Sequence, residues 1–307
     1  MTKLLLATDK PFAAEAVKGI QEICDKAGFE LIKLEKYTSA DQLKEAVKDV
    51  DAIIVRSDII DKNIIDAASK LKIVVRAGAG YDNIDLNAAT AKGITVMNTP
   101  GQNANAVAEL AVGMMIYLNR NSYNGTSGTE LRGKKIGIHA YGNIGKLLAA
   151  IGKGLGMQIF AFDPFVKKEN VEKDGVEYVS DVKELYKKCQ YVSVNLPANS
   201  ETKKSINFDL LSLMPKNATL VNTARVELVD EPSLLKMFET RPDFRYITDV
   251  APECKDEIAA KYPGRYFWTP KKMGAQTEEA NINAGLAAAR QIVGFIKDGN
   301  ATFKVNK

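Results

Sequence analysis

Short apolar runs alternate with longer amphipathic segments along the first third of the chain. The runs resemble buried strands and fall at Leu4–Ala7, Leu31–Leu34, Ala52–Arg56, Ile73–Arg76 and Thr95–Met97. Between the first two runs, Val17, Ile20 and Cys24 recur on one face of a predicted helix over residues 13–27. A second predicted helix covers residues 41–50, with Ser39 and Gln42 as a capping box. This alternation predicts a parallel sheet that is covered on both faces by helices.

A second series of apolar runs starts at Ile136. Its further members are Ile159–Phe162, Tyr191–Asn195, Leu220–Asn222, Tyr246–Thr248 and Tyr266–Trp268. Two long helices, Asn105–Leu118 and Glu278–Asp298, are predicted to join the halves, the first buried because it is apolar nearly all round.

We expect the second long helix to return to the first half. The predicted fold class is therefore α/β, with two Rossmann-like or flavodoxin-like domains that have parallel sheets and are joined by crossover helices. The predicted domains are residues 1–99 plus 281–307, for the substrate, and residues 100–280, for a dinucleotide. Two sequential domains without a crossover are the alternative.

Residues 133–163 have the pattern of a dinucleotide-binding βαβ unit. Ala140, Gly142, Asn143, Ile144 and Gly145 lie in a G-x-G-x-x-G turn that has Ala at its first position, and Asp163 follows the next strand. Gly142 lets the backbone approach a pyrophosphate, Gly145 lets the helix pack on the strand, and the helix N-terminus offers free N–H groups to the anion. A carboxylate at position 163 can accept both ribose hydroxyls, which favours NAD over its 2′-phosphorylated form. We expect Ala140 to alter the turn slightly and to leave the site intact.

Composition excludes several other classes of function. Of the 307 residues, 46% are hydrophobic and 26% are charged, and the net charge of +4 is small for this length. We therefore expect no nucleic-acid partner and no membrane surface, and no signal peptide or membrane span is recognisable. The widely spaced Cys24, Cys189 and Cys254 predict free thiols in a reducing cytoplasm. One histidine and scattered cysteines predict no metal site.

Further motifs extend over nearly the whole chain. They are Val55-Arg56-Ser57, the segment from Arg76 to Asp85, Asn98 to Asn103 leading into Ala106-Val-Ala-Glu-Leu110, Asn222-Thr-Ala-Arg225, and Asp249-Val250. In this order they resemble the D-2-hydroxyacid dehydrogenase family, most closely its phosphoglycerate dehydrogenase branch. The resemblance implies a substrate cleft between two domains, with a nicotinamide at its base.

The resemblance also implies roles for single residues. Arg225 would orient the substrate by gripping its α-carboxylate and carbonyl with a planar guanidinium. Substrate binding would also involve Arg56, Ser57, Gly78 and Asn103, although an arginine at position 56 can instead cap a helix or pair with an acid. Asp249 would bond the nicotinamide amide, unless it simply caps a helix. Pro197 and Thr223 would complete the cofactor site.

The acid–base group departs from the family pattern. The family places a histidine late in the chain, but His139 lies on the strand that enters the cofactor turn, where we expect it to be packed. The late segment reads Thr269-Pro-Lys-Lys-Met-Gly-Ala-Gln-Thr277, which places Lys272 at the histidine position, or Lys271 when counted from Thr-Pro. A lysine with its ordinary pKa is neutral in only about one molecule in 2500 at pH 7, so a base at this position needs a lowered pKa.

A second departure fits the first. The glutamate that supports the family's histidine corresponds to Cys254, so we interpret the two losses as one coupled exchange. Glu253, one position earlier, would restore the acid–base pair if the loop slipped by one residue. Val226-Glu227 also follow Arg225 in place of the usual glycine, and Asn195 replaces a residue near the adenine that is often histidine.

These inferences predict an NAD-dependent enzyme that oxidises 3-phospho-D-glycerate to 3-phosphooxypyruvate in serine biosynthesis. We expect it to lack the C-terminal regulatory domain of longer relatives. Another D-2-hydroxy acid, of glycerate or lactate type, is an open alternative, and so is an NAD-sensing binding protein that has lost catalysis. The resemblance implies a homodimer through the cofactor domain, with residues 105–118 and the loop 119–130 as the candidate contact surface.

Overall fold

The computed structural model describes all 307 residues, and its strands and helices alternate as the apolar pattern predicts. The strands are β1 (Thr2–Thr8), β2 (Phe29–Glu35), β3 (Ala52–Val55), β4 (Ile73–Arg76), β5 (Thr95–Asn98), β6 (Lys135–His139), β7 (Gln158–Phe162), β8 (Glu177–Tyr178), β9 (Tyr191–Val194), β10 (Thr219–Asn222), β11 (Arg245–Thr248) and β12 (Tyr266–Trp268). The α-helices are α1 (Ala14–Ala27), α2 (Ala40–Ala46), α3 (Lys62–Ala67), α4 (Leu86–Ala91), α5 (Ala104–Asn119), α6 (Asn143–Gly154), α7 (Lys168–Glu172), α8 (Val182–Lys188), α9 (Phe208–Leu211), α10 (Glu231–Thr240), α11 (Lys255–Lys261) and α12 (Glu278–Asp298).

The chain divides into two units, one of which is discontinuous in sequence. Unit 1 comprises residues 1–103 and 275–307, and unit 2 comprises residues 104–274. The chain therefore crosses from one unit to the other twice, and the alternative of two sequential domains is wrong. The division leaves α5 whole at the start of unit 2, and it leaves Thr277, the N-cap of α12, in unit 1 with its helix.

Unit 1 has a five-stranded parallel sheet in the order β2-β1-β3-β4-β5, which is the flavodoxin-like order. Alternate residues of each strand face opposite sides. Leu4 and Leu6 pack under α1 and α12, and Leu5 packs on the side of α2 and α3. The prediction that the last long helix returns to the first half is confirmed, because Leu286 of α12 lies against Gly19 of α1.

Unit 2 has a seven-stranded parallel sheet in the order β12-β11-β10-β9-β6-β7-β8. Numbered from β6, this is the Rossmann order with one strand added at the β12 edge. The predicted α/β class with two parallel sheets is thus confirmed. Most of α5 is buried, as its apolar surface predicts.

One predicted helix is shorter in the structure, and one short strand was not predicted. The helix predicted over residues 41–50 ends at Ala46, because its last turn tightens: Lys48 N bonds Glu45 O, and Asp49 instead holds Lys3. Strand β8, with two residues, is too short to give a periodic signal.

The three cysteines are free, as expected, and none of the helices combines the length and apolar character that a membrane crossing requires.

Candidate active site

The predicted cofactor and acid–base residues of unit 2 follow the ends of its strands. Ala140 follows β6, Asp163 follows β7, Thr223 follows β10, and Asp249 follows β11. Because all these strands are parallel, their carboxyl ends lie at the same edge of the sheet. The order reverses between β6 and β9, and a ligand of an open α/β sheet binds in the crevice at such a reversal.

The geometry of the turn between β6 and α6 accounts for the glycines at positions 142 and 145. Gly142 is the N-cap of α6, which has no side-chain cap, and a Cβ on Gly142 would meet nothing within 4 Å. The N-terminus of α6 therefore has no side-chain cap and has open space beside Gly142, as an anion site at a helix N-terminus requires. A Cβ on Gly145 would lie 2.6 Å from Ala140 O and 2.9 Å from Ile138 Cγ2, so only glycine permits this close packing of helix on strand.

Ala140 has a φ of +77°, in the left-handed region that favours glycine. The first position of the fingerprint thus has a backbone conformation that favours glycine, and the alanine there is strained. We expect Ala140→Gly to stabilise unit 2 by about 1 kcal/mol, because the strain of a Cβ in this region is removed. The urea midpoint of unfolding measures the change. As a control, Ala149→Gly in the interior of α6 is expected to destabilise by about 1 kcal/mol, and a lowered midpoint for Ala140→Gly would refute the strain.

Asp163 is buried, and both of its carboxylate oxygens accept backbone hydrogen bonds. Oδ2 accepts from Tyr141 N at 2.8 Å, and Oδ1 accepts from Phe165 N at 2.9 Å. The carboxylate is therefore fixed beside the β6–α6 turn. Each oxygen retains a second lone pair with which it can accept from a ligand hydroxyl.

Asp249 anchors both ends of the loop that carries the two lysines. Thr269, after β12, places its Oγ1 3.0 Å from Asp249 O, and Gly274 N donates to Asp249 Oδ2 at 2.9 Å. A Cβ on Gly274 would lie 2.9 Å from the same carboxylate oxygen, so this approach requires glycine. Residues 270–273 are thus held as a short loop over the end of β11.

Within this loop, Lys272 contacts the turn that follows β10. Its Nζ donates to Ala224 O at 2.7 Å and lies 3.9 Å from Asp249 Oδ1. Arg225 Nη1 donates to the same Ala224 O at 3.0 Å. One carbonyl oxygen therefore brings an ammonium and a guanidinium together beside a buried carboxylate.

The surroundings of Lys272 lower the pKa of its amine from the ordinary 10.5. Partial burial is the largest cause, and it disfavours the charged form although 47% of the side chain is exposed. The positive charge of Arg225 acts in the same direction, whereas the carboxylates of Asp249 and Glu227 raise the pKa. The net direction is the one that a basic lysine needs. Glu227 was not predicted as a site residue, and the sequence showed only that Val226-Glu227 follow Arg225 in place of the usual glycine.

The structure distinguishes Lys272 from the other acid–base candidates. Lys271 is exposed, and its backbone O lies 2.7 Å from Thr269 Oγ1. Glu253 is exposed too, and it is not among the charges that act on Lys272. The predicted slip that would restore a pair through Glu253 therefore finds no support.

Cys254 and its neighbour are held by a residue that the sequence did not indicate. Glu231, the first residue of α10, accepts from Glu253 N at 2.8 Å and from Cys254 N at 2.9 Å. Burial, with Glu231 as a further cause, raises the pKa of the Cys254 thiol to about 12. The residue that the sequence analysis aligns with the family glutamate is thus a neutral thiol, and it is not among the groups that act on Lys272.

Two buried polar atoms have no hydrogen-bond partner at this edge of unit 2. They are Thr223 Oγ1, after β10, and Asp249 Oδ1, after β11. Buried polar groups are nearly always paired, so unpaired ones indicate a missing ligand group. A carboxamide carries the N–H donors that suit Asp249 Oδ1, and the residues present therefore fit a nicotinamide dinucleotide.

His139 and Pro197 are the other named residues of unit 2. His139 packs in the core against Phe162 and Tyr186, as expected, and burial lowers its pKa to about 4. Pro197 is exposed after β9, and its carbonyl accepts from Thr202 Oγ1 at 2.6 Å.

The predicted substrate residues other than Arg225 lie in unit 1. Arg56 Nη2 donates to Asn281 Oδ1 at 2.5 Å, and its guanidinium lies 5.2 Å from the Phe12 ring centroid. Ser57 is exposed and Asn103 is half-buried. Gly78 is buried with a φ of +149°, and a Cβ there would meet the Arg76 guanidinium. These contacts give Arg56 a structural role, and its contact with substrate stays a prediction.

Residues 6–306 match the model of the D-isomer specific 2-hydroxyacid dehydrogenase catalytic domain. The chain belongs to this family. It is 34% identical over 318 aligned residues to the D-3-phosphoglycerate dehydrogenase of Methanocaldococcus jannaschii. This alignment covers 98% of the chain and 59% of the relative. The chain therefore spans about three fifths of that relative's length.

Two further proteins match this chain over most or all of their own length. Over 285 residues the chain is 34% identical to the hydroxypyruvate reductase of Thermotoga maritima, a match that covers 86% of the chain and 90% of the relative. The chain is also 48% identical in sequence to an NAD+-bound 3-phosphoglycerate dehydrogenase of Entamoeba histolytica. The two structures superpose with a TM-score of 0.89, and the match covers 100% of this chain and 99% of the other.

Proposed function

We propose that this protein is an NAD-dependent dehydrogenase that oxidises 3-phospho-D-glycerate to 3-phosphooxypyruvate, with Lys272 as the acid–base group. Membership of the 2-hydroxyacid dehydrogenase family and the phosphoglycerate dehydrogenases among its relatives support the reaction. The observation that carries the proposal is the convergence of Lys272 Nζ and Arg225 Nη1 on Ala224 O beside Asp249. The product is a precursor of serine, which places the reaction in serine biosynthesis.

In this proposal Lys272 takes the proton of the C2 hydroxyl. A base at this position must be neutral, and burial together with Arg225 raises the neutral fraction of the amine at a given pH. In the opposite direction the protonated amine donates to the keto oxygen. Arg225 binds the α-carboxylate and the carbonyl oxygen with two parallel N–H donors, which fixes C2 relative to Lys272. The distal group of the substrate is assigned to Arg56, Ser57, Gly78 and Asn103.

The proposed cofactor site uses the residues at the strand ends of unit 2. When bound, NAD supplies the acceptor for the C2 hydride. Gly142, Asn143, Ile144 and Gly145 present the N-terminus of α6 to its pyrophosphate, and Asp249 Oδ1 accepts from its carboxamide. Asp163 accepts from the ribose hydroxyls, and its fixed negative charge disfavours a 2′-phosphate. Thr223 and Pro197 complete the site.

The two glycines of the turn provide a test of the cofactor site. We expect Gly142→Ala to leave the free energy of unfolding within about 1 kcal/mol of the wild type, because its Cβ meets no protein atom. It should nevertheless raise the Kd for NAD about tenfold or more, since the methyl group enters the space in front of the amides. We expect Gly145→Ala to destabilise by about 1 to 3 kcal/mol. Urea unfolding and fluorescence titration with NADH measure the two effects. Equal NAD affinity for Gly142→Ala and the wild type would rule out this site.

Steady-state reduction of NAD with 3-phospho-D-glycerate tests the reaction. Turnover supports the enzyme, whereas tight NAD binding without turnover supports an NAD-sensing protein.

A second candidate is the reduction of hydroxypyruvate, which the similarity to the Thermotoga maritima protein over 90% of that relative's length favours. The ratio of kcat/KM for 3-phospho-D-glycerate to that for D-glycerate separates the two. A ratio well above one supports the phosphorylated substrate, and a ratio below one supports the glycerate type.

A further inference from the structure

The turn that carries Arg225 is held from inside by the side chain of Asn222. Asn222 is the last residue of β10 and is 1% exposed. Its Oδ1 accepts from Ala224 N at 3.0 Å, and its Nδ2 donates to Arg225 O at 2.8 Å. One amide therefore fixes the backbone on both sides of the peptide that joins Ala224 to Arg225.

That peptide presents the carbonyl on which the two cations converge. Ala224 O accepts from Lys272 Nζ at 2.7 Å and from Arg225 Nη1 at 3.0 Å. Two positive groups that share one acceptor repel each other, and the negative end of the carbonyl dipole offsets part of the repulsion. The direction of the Ala224 carbonyl thus decides whether the ammonium stays beside the guanidinium.

We propose that Asn222 is a positioning residue, which aims the Ala224 carbonyl so that the Lys272 amine is held next to Arg225 and Asp249. The part of this inference that concerns catalysis rests on the proposed function. The amide is suited to the task because it offers a donor and an acceptor at once, whereas aspartate offers only acceptors at neutral pH. Tyr246 Oη, 3.4 Å from Nδ2, supports the same orientation of the amide.

Loss of this support has a definite electrostatic consequence. Lys272 is faced by Arg225 and Glu227 from the turn after β10 and by Asp249 from the end of β11, and its burial is the largest cause of the lowered pKa. An amine released into water loses both the burial and the nearby guanidinium. Its pKa then rises toward the ordinary value of 10.5.

The pH dependence of Lys272 acetylation tests the proposal without substrate or cofactor. Acetic anhydride acylates only the neutral amine, and tandem mass spectrometry separates Lys272 from Lys271. We expect Asn222→Asp and Asn222→Ser to raise the midpoint of Lys272 acetylation by about half a pH unit or more. The aspartate loses the donor to Arg225 O and adds a buried negative charge, and the serine keeps only the acceptor for Ala224 N. In both variants we expect turnover to fall about tenfold.

Asn119→Asp is the matched control, because Asn119 is also buried in unit 2 and bonds Tyr191 Oη, away from the turn. It should leave the acetylation midpoint and turnover at their wild-type values. Folded Asn222 variants with the wild-type midpoint would overturn the proposal. Failure of both variants to fold would overturn it too, since Asn222 would then serve stability alone. Absence of phosphoglycerate oxidation in the wild type would instead refute the proposed function, while the acetylation midpoint would still report the position of the amine.

Discussion

Lys272→Ala is expected to lower kcat for oxidation of 3-phospho-D-glycerate about 10³-fold and to leave the Kd for NAD within about twofold of the wild type. The alanine removes the amine that takes the C2 hydroxyl proton. The rest of the site stays in place, because its loop is anchored at Thr269 and Gly274 and not through Lys272. Stopped-flow and steady-state assays measure kcat, and NADH fluorescence measures binding.

Lys271→Ala is the matched control, since Lys271 is adjacent and exposed. It should retain nearly wild-type turnover. The opposite result, a lost kcat in Lys271→Ala and a normal one in Lys272→Ala, would transfer the acid–base role to Lys271.

The role of Lys272 as a base also predicts the direction in which the reaction rate changes with pH. A base acts in its neutral form, so the kcat/KM of oxidation should rise with pH through the pKa of Lys272. Because burial and Arg225 lower that pKa, the midpoint of the rise should lie below 10.5. We expect Lys272→Ala to lose this rise. Lys272→His should regain part of the turnover with a midpoint moved down toward about 6.5, the ordinary value for imidazole. A profile that is identical in the wild type and in Lys272→Ala would assign the rise to another group.

The fold could be predicted from the sequence because its strands are buried on both faces. Such strands give continuous apolar runs, and the longest helix was predicted with its observed ends, Glu278 and Asp298. The cofactor turn was predictable because its packing requires glycine at position 145, where a Cβ would lie only 2.6 Å from Ala140 O. Features that depend on local geometry over two or three residues, such as β8, were not predictable.

The register of the acid–base loop could not be decided by sequence alone. Counting from Thr269 and counting from Gly274 gave different lysines. In the structure both ends are tied to Asp249, and the two ties leave Lys272 directed at Ala224 O. The role of Glu227 was missed for a similar reason, because its effect on Lys272 depends on the 3₁₀ turn Val226–Leu228 that follows Arg225. Sequence separation hides contacts that a tertiary fold creates.

Arg225→Lys is expected to lower kcat/KM for 3-phospho-D-glycerate about 10²- to 10³-fold, which corresponds to about 3 to 4 kcal/mol of transition-state stabilisation. Lysine keeps the positive charge but not the planar fork, so it cannot hold a carboxylate and a carbonyl oxygen at once. We expect both a higher KM, from weaker binding of the carboxylate, and a lower kcat, because C2 is no longer fixed relative to Lys272. Initial rates over a range of substrate concentrations separate the two effects.

Arg241→Lys controls for the substitution itself. Arg241 makes a two-pronged ion pair with Asp243 in the same unit, through Nε at 3.0 Å and Nη2 at 2.9 Å, away from the lysine loop. This variant should lose some stability in urea and keep the wild-type kcat and KM. If Arg225→Lys behaves like Arg241→Lys, with changed stability and unchanged kinetics, then Arg225 does not bind the substrate. The shared acceptor at Ala224 would in that case serve only to hold the turn after β10.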